Sequence, residues 1–192
     1  MANSPLWPRC AYRRSRPPCY AENAMPSPAH LYGRVMTAEQ YLEYLEIYAQ
    51  DEHVKLALRP VQMSQIFELV AQLKIELPKQ YETFLTTVGC GEECGGMGLW
   101  YHLDLTSPGS VLERSRGIPS TSPAKGMLAI YDSYDGDIYG FLPGKRSFRP
   151  QVHALNTETN ELHKVADNFE DFLDCLTGGD VDDEEIDLAF TP

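Results

Sequence analysis

A change of hydrophobic period at Gly89 constrains this chain more than any other feature. Before it, apolar residues recur at helical spacing. Tyr41, Tyr44, Leu45 and Tyr48 mark one stripe, Met63, Ile66, Phe67, Val70 and Leu73 a second, and Tyr81, Phe84, Leu85 and Val88 a third. Residues three and four apart share one face of a helix, so each stripe predicts an amphipathic helix with that face on a core. Thr37 and Gln40 bracket a capping box at the start of the first. Leu77-Pro78 opens the third, with proline suited to the first helical position, and Gly89 stops it.

Beyond a loop holding Gly91, Gly95, Gly96 and Gly98, the period becomes two. Leu99, Tyr101, Leu103 and Leu105 alternate with Trp100, His102 and Asp104, which predicts a strand with its leucine face on a core. Trp100 and His102 fall on the opposite face. Burial of Trp100 under a second layer is expected over a role as an exposed binding anchor. Residues 106–125, rich in Ser, Pro and Gly, read as a surface connection with a short helix near Ser110–Ser115. Further strands are expected at Met127–Tyr131, Ile138–Leu142, Val152–Leu155 and Glu161–Ala166. Asp167 to Glu170 form an acidic cap for a last helix bearing Phe169, Phe172, Leu173 and Leu176, ended by Gly178-Gly179. Helices, a meander of strands and a closing helix make an α+β domain. An antiparallel-dominated sheet of about five strands should pack against the N-terminal helices and the C-terminal one.

The flanks differ from this domain, which is placed at residues 36–178. Residues 1–35 hold Pro5, Pro8, Pro17, Pro18, Pro26 and Pro28, with Arg9, Arg13, Arg14, Arg16 and Arg34 against the single acid Glu22. Such a composition cannot bury a core and is expected to be a disordered leader. Met36, directly before the capping box, is the expected natural start. Residues 179–192, including DVDDEEIDLAFTP, are expected to form a flexible acidic tail.

Charge and motifs narrow the function. A formal net charge of −12 argues against a nucleic-acid binder, which must offset phosphate charge, and suits a basic partner. No run approaches the roughly 20 apolar residues needed to span a bilayer, so no membrane is expected. The five cysteines are an odd, scattered set rather than a disulfide framework, which points to the cytoplasm.

Asp132, Asp135 and Asp137 crowd one strand connection, but their spacing is not that of a calcium loop, and Asp135-Gly136 is what a tight hairpin turn requires. Cys90 and Cys94 lack the second compact pair of a structural zinc site. No nucleophile elbow, phosphate loop or metalloprotease helix is present. The chain is therefore expected to be no enzyme and to carry no catalytic residues, metal or cofactor.

Several segments together resemble the SUKH superfamily. Ile75-Glu-Leu-Pro-Lys-Gln-Tyr-Glu-Thr-Phe-Leu85 with the glycine-rich loop after it is similar to that family's N-terminal signature. Gly126-Met-Leu-Ala-Ile130, the acidic turn and Ile138-Tyr-Gly-Phe141 resemble its central hairpin. Val152 to Glu161 resembles its strand-and-turn segment, and Asn168-Phe-Glu-Asp-Phe-Leu173 its closing helix. The departures are the Cys90-Gly-Glu-Glu-Cys-Gly-Gly96 loop, Asn160 in place of a turn glycine, and the added helix before residue 60.

The resemblance implies a small α+β binding domain. Many members are immunity proteins against secreted toxins, and some eukaryotic relatives regulate cell-wall assembly. The expected function is neutralisation of a protein toxin, a nuclease or similar with a basic active-site surface, by direct binding. The alternative is a regulatory scaffold tied to no toxin. The expected contact residues are Asp132, Tyr134, Asp135 and Asp137 in the hairpin, with Glu92 and Glu93.

Overall fold

The fold is that of a computed structural model, which describes residues 36–48, 57–92, 98–103, 109–133 and 136–177. The expected leader, the expected tail and Leu105 lie outside those residues. Three helices come first: α1 (Ala38–Tyr48), α2 (Met63–Leu73) and α3 (Lys79–Thr87). Two short strands follow, β1 (Gly91–Glu92) and β2 (Gly98–Trp100), then α4 (Val111–Gly117). The chain closes with β3 (Leu128–Ser133), β4 (Asp137–Pro143), β5 (Phe148–Asn156), β6 (Leu162–Ala166) and α5 (Phe169–Leu176).

The six strands lie in chain order, each antiparallel to its neighbours. This is the expected α+β meander with one strand more than foreseen. The extra strand, β1, is only two residues long and begins the glycine-rich loop, too short to show a period.

Local chemistry explains where the elements begin. The Thr37 N–H donates to Gln40 Oε1 at 2.9 Å and the Gln40 N–H to Thr37 Oγ1 at 3.3 Å, a complete capping box. Ser110 Oγ accepts from the Glu113 N–H at 3.3 Å to start α4. At α5 the cap is Asn168, whose Oδ1 accepts from the Asp171 N–H at 3.0 Å. Pro78 sits one position earlier than expected, as the N-cap of α3 with ψ 134°, and still loses no helical hydrogen bond.

One face of the sheet is covered by α1, α3 and α5, and aromatic rings form the centre of the layer between, with Leu45, Leu85, Val152 and Leu173 buried around them. Trp100, 1% exposed, lies at its centre. Its ring is 4.3 Å from Phe84 and 4.8 Å from Tyr131 by centroid, with Tyr41 of α1 edge-on at 6.4 Å. Tyr81 meets Phe169 at 5.3 Å and Phe141 at 5.5 Å, while Phe172 lies 5.3 Å from Tyr139. Tilted and edge-on pairs at these distances suit the ring quadrupole.

The stripe expected for α2 is corrected in part: Ile66, Val70 and Leu73 pack on the core as expected, and Met63 and Phe67 do not. Ile66 and Leu69 are its buried residues, whereas Met63 is 43% and Phe67 64% exposed. Two apolar stripes overlap on this helix, and the chain tethers at its ends decide between them. The Val61 N–H donates to the Leu85 carbonyl at 2.8 Å, laying α2 antiparallel to α3 with Ile66 and Leu69 turned inward.

Candidate functional site

The opposite face of the sheet carries the first of the expected contact residues. Side chains alternate along a strand, so Trp100 and Tyr101 leave β2 in opposite directions. Tyr101 is fully buried, and its hydroxyl donates to Asp132 Oδ2 at 3.1 Å. The Arg114 guanidinium of α4 stands 5.5 Å from the centroid of the Tyr101 ring. Burial first, and the Asp132 charge second, push the Tyr101 hydroxyl well above the ordinary tyrosine range, so it stays a proton donor to Asp132.

α4 is fastened to this face through an irregularity in β3. The pairing with β4 shifts register between Ala129 and Tyr131, a bulge. Ser115 Oγ accepts from the Ala129 N–H at 2.9 Å and donates to the Val111 carbonyl at 2.6 Å. Gly140 faces the bulge, where a Cβ would stand 2.1 Å from the Leu128 carbonyl oxygen.

The acidic end of the sheet is assembled by register. Glu92 pairs with Leu99, Leu99 with Asp132, and Asp132 with Ile138, the residue after Asp137. At about 4.8 Å between strands, Glu92 and Asp132 are roughly 10 Å apart across one row. Asp137 starts β4 half-buried, and its carbonyl accepts from the Ser133 hydroxyl at 3.3 Å. Gly136 has φ 89° and its N–H donates to the Ser133 carbonyl at 2.9 Å, the positive-φ turn expected for Asp135-Gly136.

The turn at Asn156–Asn160, legible in the sequence as a turn but not as part of the site, joins the same end. Thr157 Oγ1 donates to the Gly136 carbonyl at 2.7 Å, bringing Glu158 beside the hairpin, while Glu161, whose carbonyl accepts from the Asn156 N–H at 2.9 Å, stands one strand further along the same end. Asn156 Oδ1 holds that turn by accepting from the N–H groups of Glu158 and Thr159 at 3.0 and 2.8 Å. The Asn-Thr-Glu-Thr-Asn run signals the turn, but nothing local signals its docking on Gly136.

The structure thus places Asp132 and Asp137 at one end of the sheet but on opposite faces, with the Glu92 backbone in the row of Asp132. Tyr134, Asp135, Glu93 and the Glu92 side chain lie outside the described residues. Asp132 already has the Tyr101 hydroxyl as an internal partner, which orients its carboxylate. Among the described residues no three His, Cys, Asp or Glu side chains gather as metal ligands. Cys94, considered for zinc, is outside them, and burial pushes the Cys90 thiol up to about 12, far from a reactive thiolate. Among the described residues no helix is long and apolar enough to cross a membrane.

A helix-covered antiparallel meander, with turns and carboxylates gathered at one end, defines an α+β domain. The model of the SMI1 / KNR4 family (SUKH-1) matches residues 60–175, from just before α2 to the last turn of α5, and the chain belongs to that family. No curated protein matches the chain.

Proposed function

We propose that the chain is a cytoplasmic, non-catalytic binding protein that neutralises a protein toxin by capping it. The contact surface of this reading is the acidic end of the sheet: Asp132, Tyr134, Asp135 and Asp137, with Glu92 and Glu93, extended by Glu158 and Glu161. The observation that carries it is the tethering of two turns, through Thr157 and Gly136, into one carboxylate-rich rim. Nuclease toxins need basic surfaces to hold nucleic acid, and an acidic rim attracts such a surface from a distance. Membership in the SMI1 / KNR4 family (SUKH-1) supports a binding role.

The test begins with capture of partners from native lysate and co-expression of what binds. One partner that kills cells alone and is harmless with this chain supports immunity. Only non-toxic partners would replace it with the regulatory scaffold. The double variant Glu158→Lys, Glu161→Lys, at two exposed positions, should slow association with the toxin about tenfold or more at low salt. Unchanged rates with unchanged salt dependence would remove the acidic rim from the interface.

A further inference from the structure

Helix α2 is apolar on two sides, and the core uses one of them. Ile66 and Leu69 are buried, while Met63 and Phe67 are the large apolar side chains left exposed among the described residues. α1, α3 and α5 pack on one another, and α2 stands outside that group.

The spacing of the outer side is that of a helix-packing seam. Met63, Phe67 and Val70 follow at steps of four and three, and a further four reaches Lys74. Alternating steps of four and three keep side chains in one line, along which a second helix packs. The three apolar residues fall within about 60° of the helix circumference, and the seam runs about 16 Å from Met63 to Lys74. Val70 is half-buried and forms the floor between seam and core. Glu68 lies about 100° round from Phe67, off the seam.

The carboxyl end of this seam is cationic, although the chain as a whole carries −12. Lys74 is the C-cap of α2. The Glu76 N–H donates to the Arg146 carbonyl at 3.0 Å, and the Phe148 N–H donates to the Glu76 carbonyl at 2.9 Å. These bonds hold the β4–β5 turn, with Lys145 and Arg146, against the end of α2. Lys74, Lys145 and Arg146 are exposed, and none has a carboxylate partner among the described residues; the lysines that do are Lys79 and Lys164. Glu76 is the acid beside them, so positive charge prevails.

The two parts of the surface define what covers it. A seam at this spacing takes the apolar side of an amphipathic helix, and the cations call for acids at one end of that helix. Packing antiparallel to α2 brings the incoming amino end to Lys74, where acids also suit the helix dipole. Charge opposes a second copy of the chain. Parallel copies of α2 set Lys74 on Lys74, and antiparallel copies set it against Arg59, just ahead of the helix. Charge also opposes a lipid or nucleic-acid surface, because an extended anionic surface meets the rest of the acidic chain. A short helix meets only the seam and its cationic end.

We propose that Met63, Phe67 and Val70, with Lys74, Lys145 and Arg146, form a second docking surface for a partner protein's amphipathic helix with acids in its first turn. The surface is separate from the acidic rim, since Asp137 and Pro143 stand at opposite ends of β4, and it does not depend on the toxin reading.

Selection from a random peptide library on phage, with the full chain as bait, tests this. The peptides are about 16 residues long, enough to span the seam as a helix. Enriched sequences should carry Asp or Glu in the first turn, followed by apolar residues at steps of three and four. The best of them, made as a synthetic peptide, should bind about tenfold or more weakly to Phe67→Ser and to Lys145→Glu/Arg146→Glu. These positions are exposed, and an unchanged urea midpoint checks that both variants keep the fold. Glu158→Lys/Glu161→Lys, at the rim, should bind the peptide as the wild type does. No enrichment, enriched sequences without acids, or the same affinity in every variant overturns the proposal. Two further measurements identify the rival occupants. A wild-type dimer that sediments as a monomer in Phe67→Ser assigns the seam to a second copy. Phosphatidylserine vesicles that bind the wild type and not Phe67→Ser assign it to a membrane. Either result overturns the proposal.

Discussion

The two faces of the sheet are held by different chemistry. The face under α1, α3 and α5 is an aromatic layer in which Trp100, Phe84, Tyr81, Phe169 and Phe172 touch one another across three elements. The other face carries a small cluster of Ile118, Ala124, Met127 and Leu155, and a set of polar ties: Tyr101 to Asp132, Ser115 to Ala129, Thr157 to Gly136. Apolar packing is non-directional and tolerates repacking, whereas each polar tie depends on one atom pair. The aromatic face therefore supplies stability, and the polar face fixes where the turns of the acidic rim stand.

Truncation is the strongest way to break that contrast. Trp100→Ala removes the ring at the centre of the aromatic layer and should cost about 3–5 kcal/mol, as large-to-small changes of buried aromatics do. Leu155→Ala, in the smaller cluster, should cost about 2 kcal/mol, because half-buried neighbours relax toward the gap. Urea unfolding of the two variants measures both. Equal losses would mean that the faces share the load.

How much of this was legible in the sequence follows from the same contrast. The aromatic layer announces itself through period: Tyr81, Phe84, Leu85 and Val88 are all buried, as are Phe169, Phe172, Leu173 and Leu176. Strand β3 to β6 positions were readable from alternation, to within a few residues at their ends. Trp100 was legible only as buried, since nothing in its own strand says that it becomes the hub.

The overlapping stripes of α2 could not be separated, because Met63–Phe67, four apart, and Ile66–Leu69, three apart, are both helical neighbours. The acidic rim was half legible. The Asp-Gly turn is local chemistry, but the docking of Thr157 on Gly136 joins residues that lie 21 apart in the chain and follows from register alone. Asp132 looked like a free surface acid, and its hydrogen bond with Tyr101 spans two strands.

A polar tie can be cut at one atom. Ser115→Ala leaves the Ala129 N–H at the bulge without its acceptor, beneath a residue that is fully buried. An unsatisfied buried donor costs about 1–3 kcal/mol, so this single-oxygen change should approach the effect of Leu155→Ala. Hydrogen exchange distinguishes it from a general loosening. The Ala129 amide and those of α4 should exchange faster, while Trp100 and Phe172 amides keep their protection. Uniform acceleration would show that α4 is part of one cooperative unit with the aromatic face.

The smallest effect expected is set by pH and belongs to the polar face alone. His153 of β5 is half-buried, and its Nδ1 is enclosed with no hydrogen-bond partner. Burial, with Arg149 and Lys164 nearby, lowers its pKa below the ordinary 6.5, and a hydrogen bond to the Gln151 backbone opposes the shift only in part. The folded state thus prefers the neutral ring, while the unfolded chain takes up a proton as pH falls past 6.5. Stability from this group is complete above that pH and declines as pH drops toward the lowered folded value. The urea midpoint should therefore fall between pH 7 and about 5.5, and fall less in His153→Gln, which cannot titrate. Burial pushes the Tyr81 hydroxyl of the aromatic layer further above the ordinary tyrosine range, so the difference between the two proteins reads His153 on the outer face. Identical pH dependence in both would mean that the ring reaches solvent and that the polar face is wetter than its buried nitrogen implies.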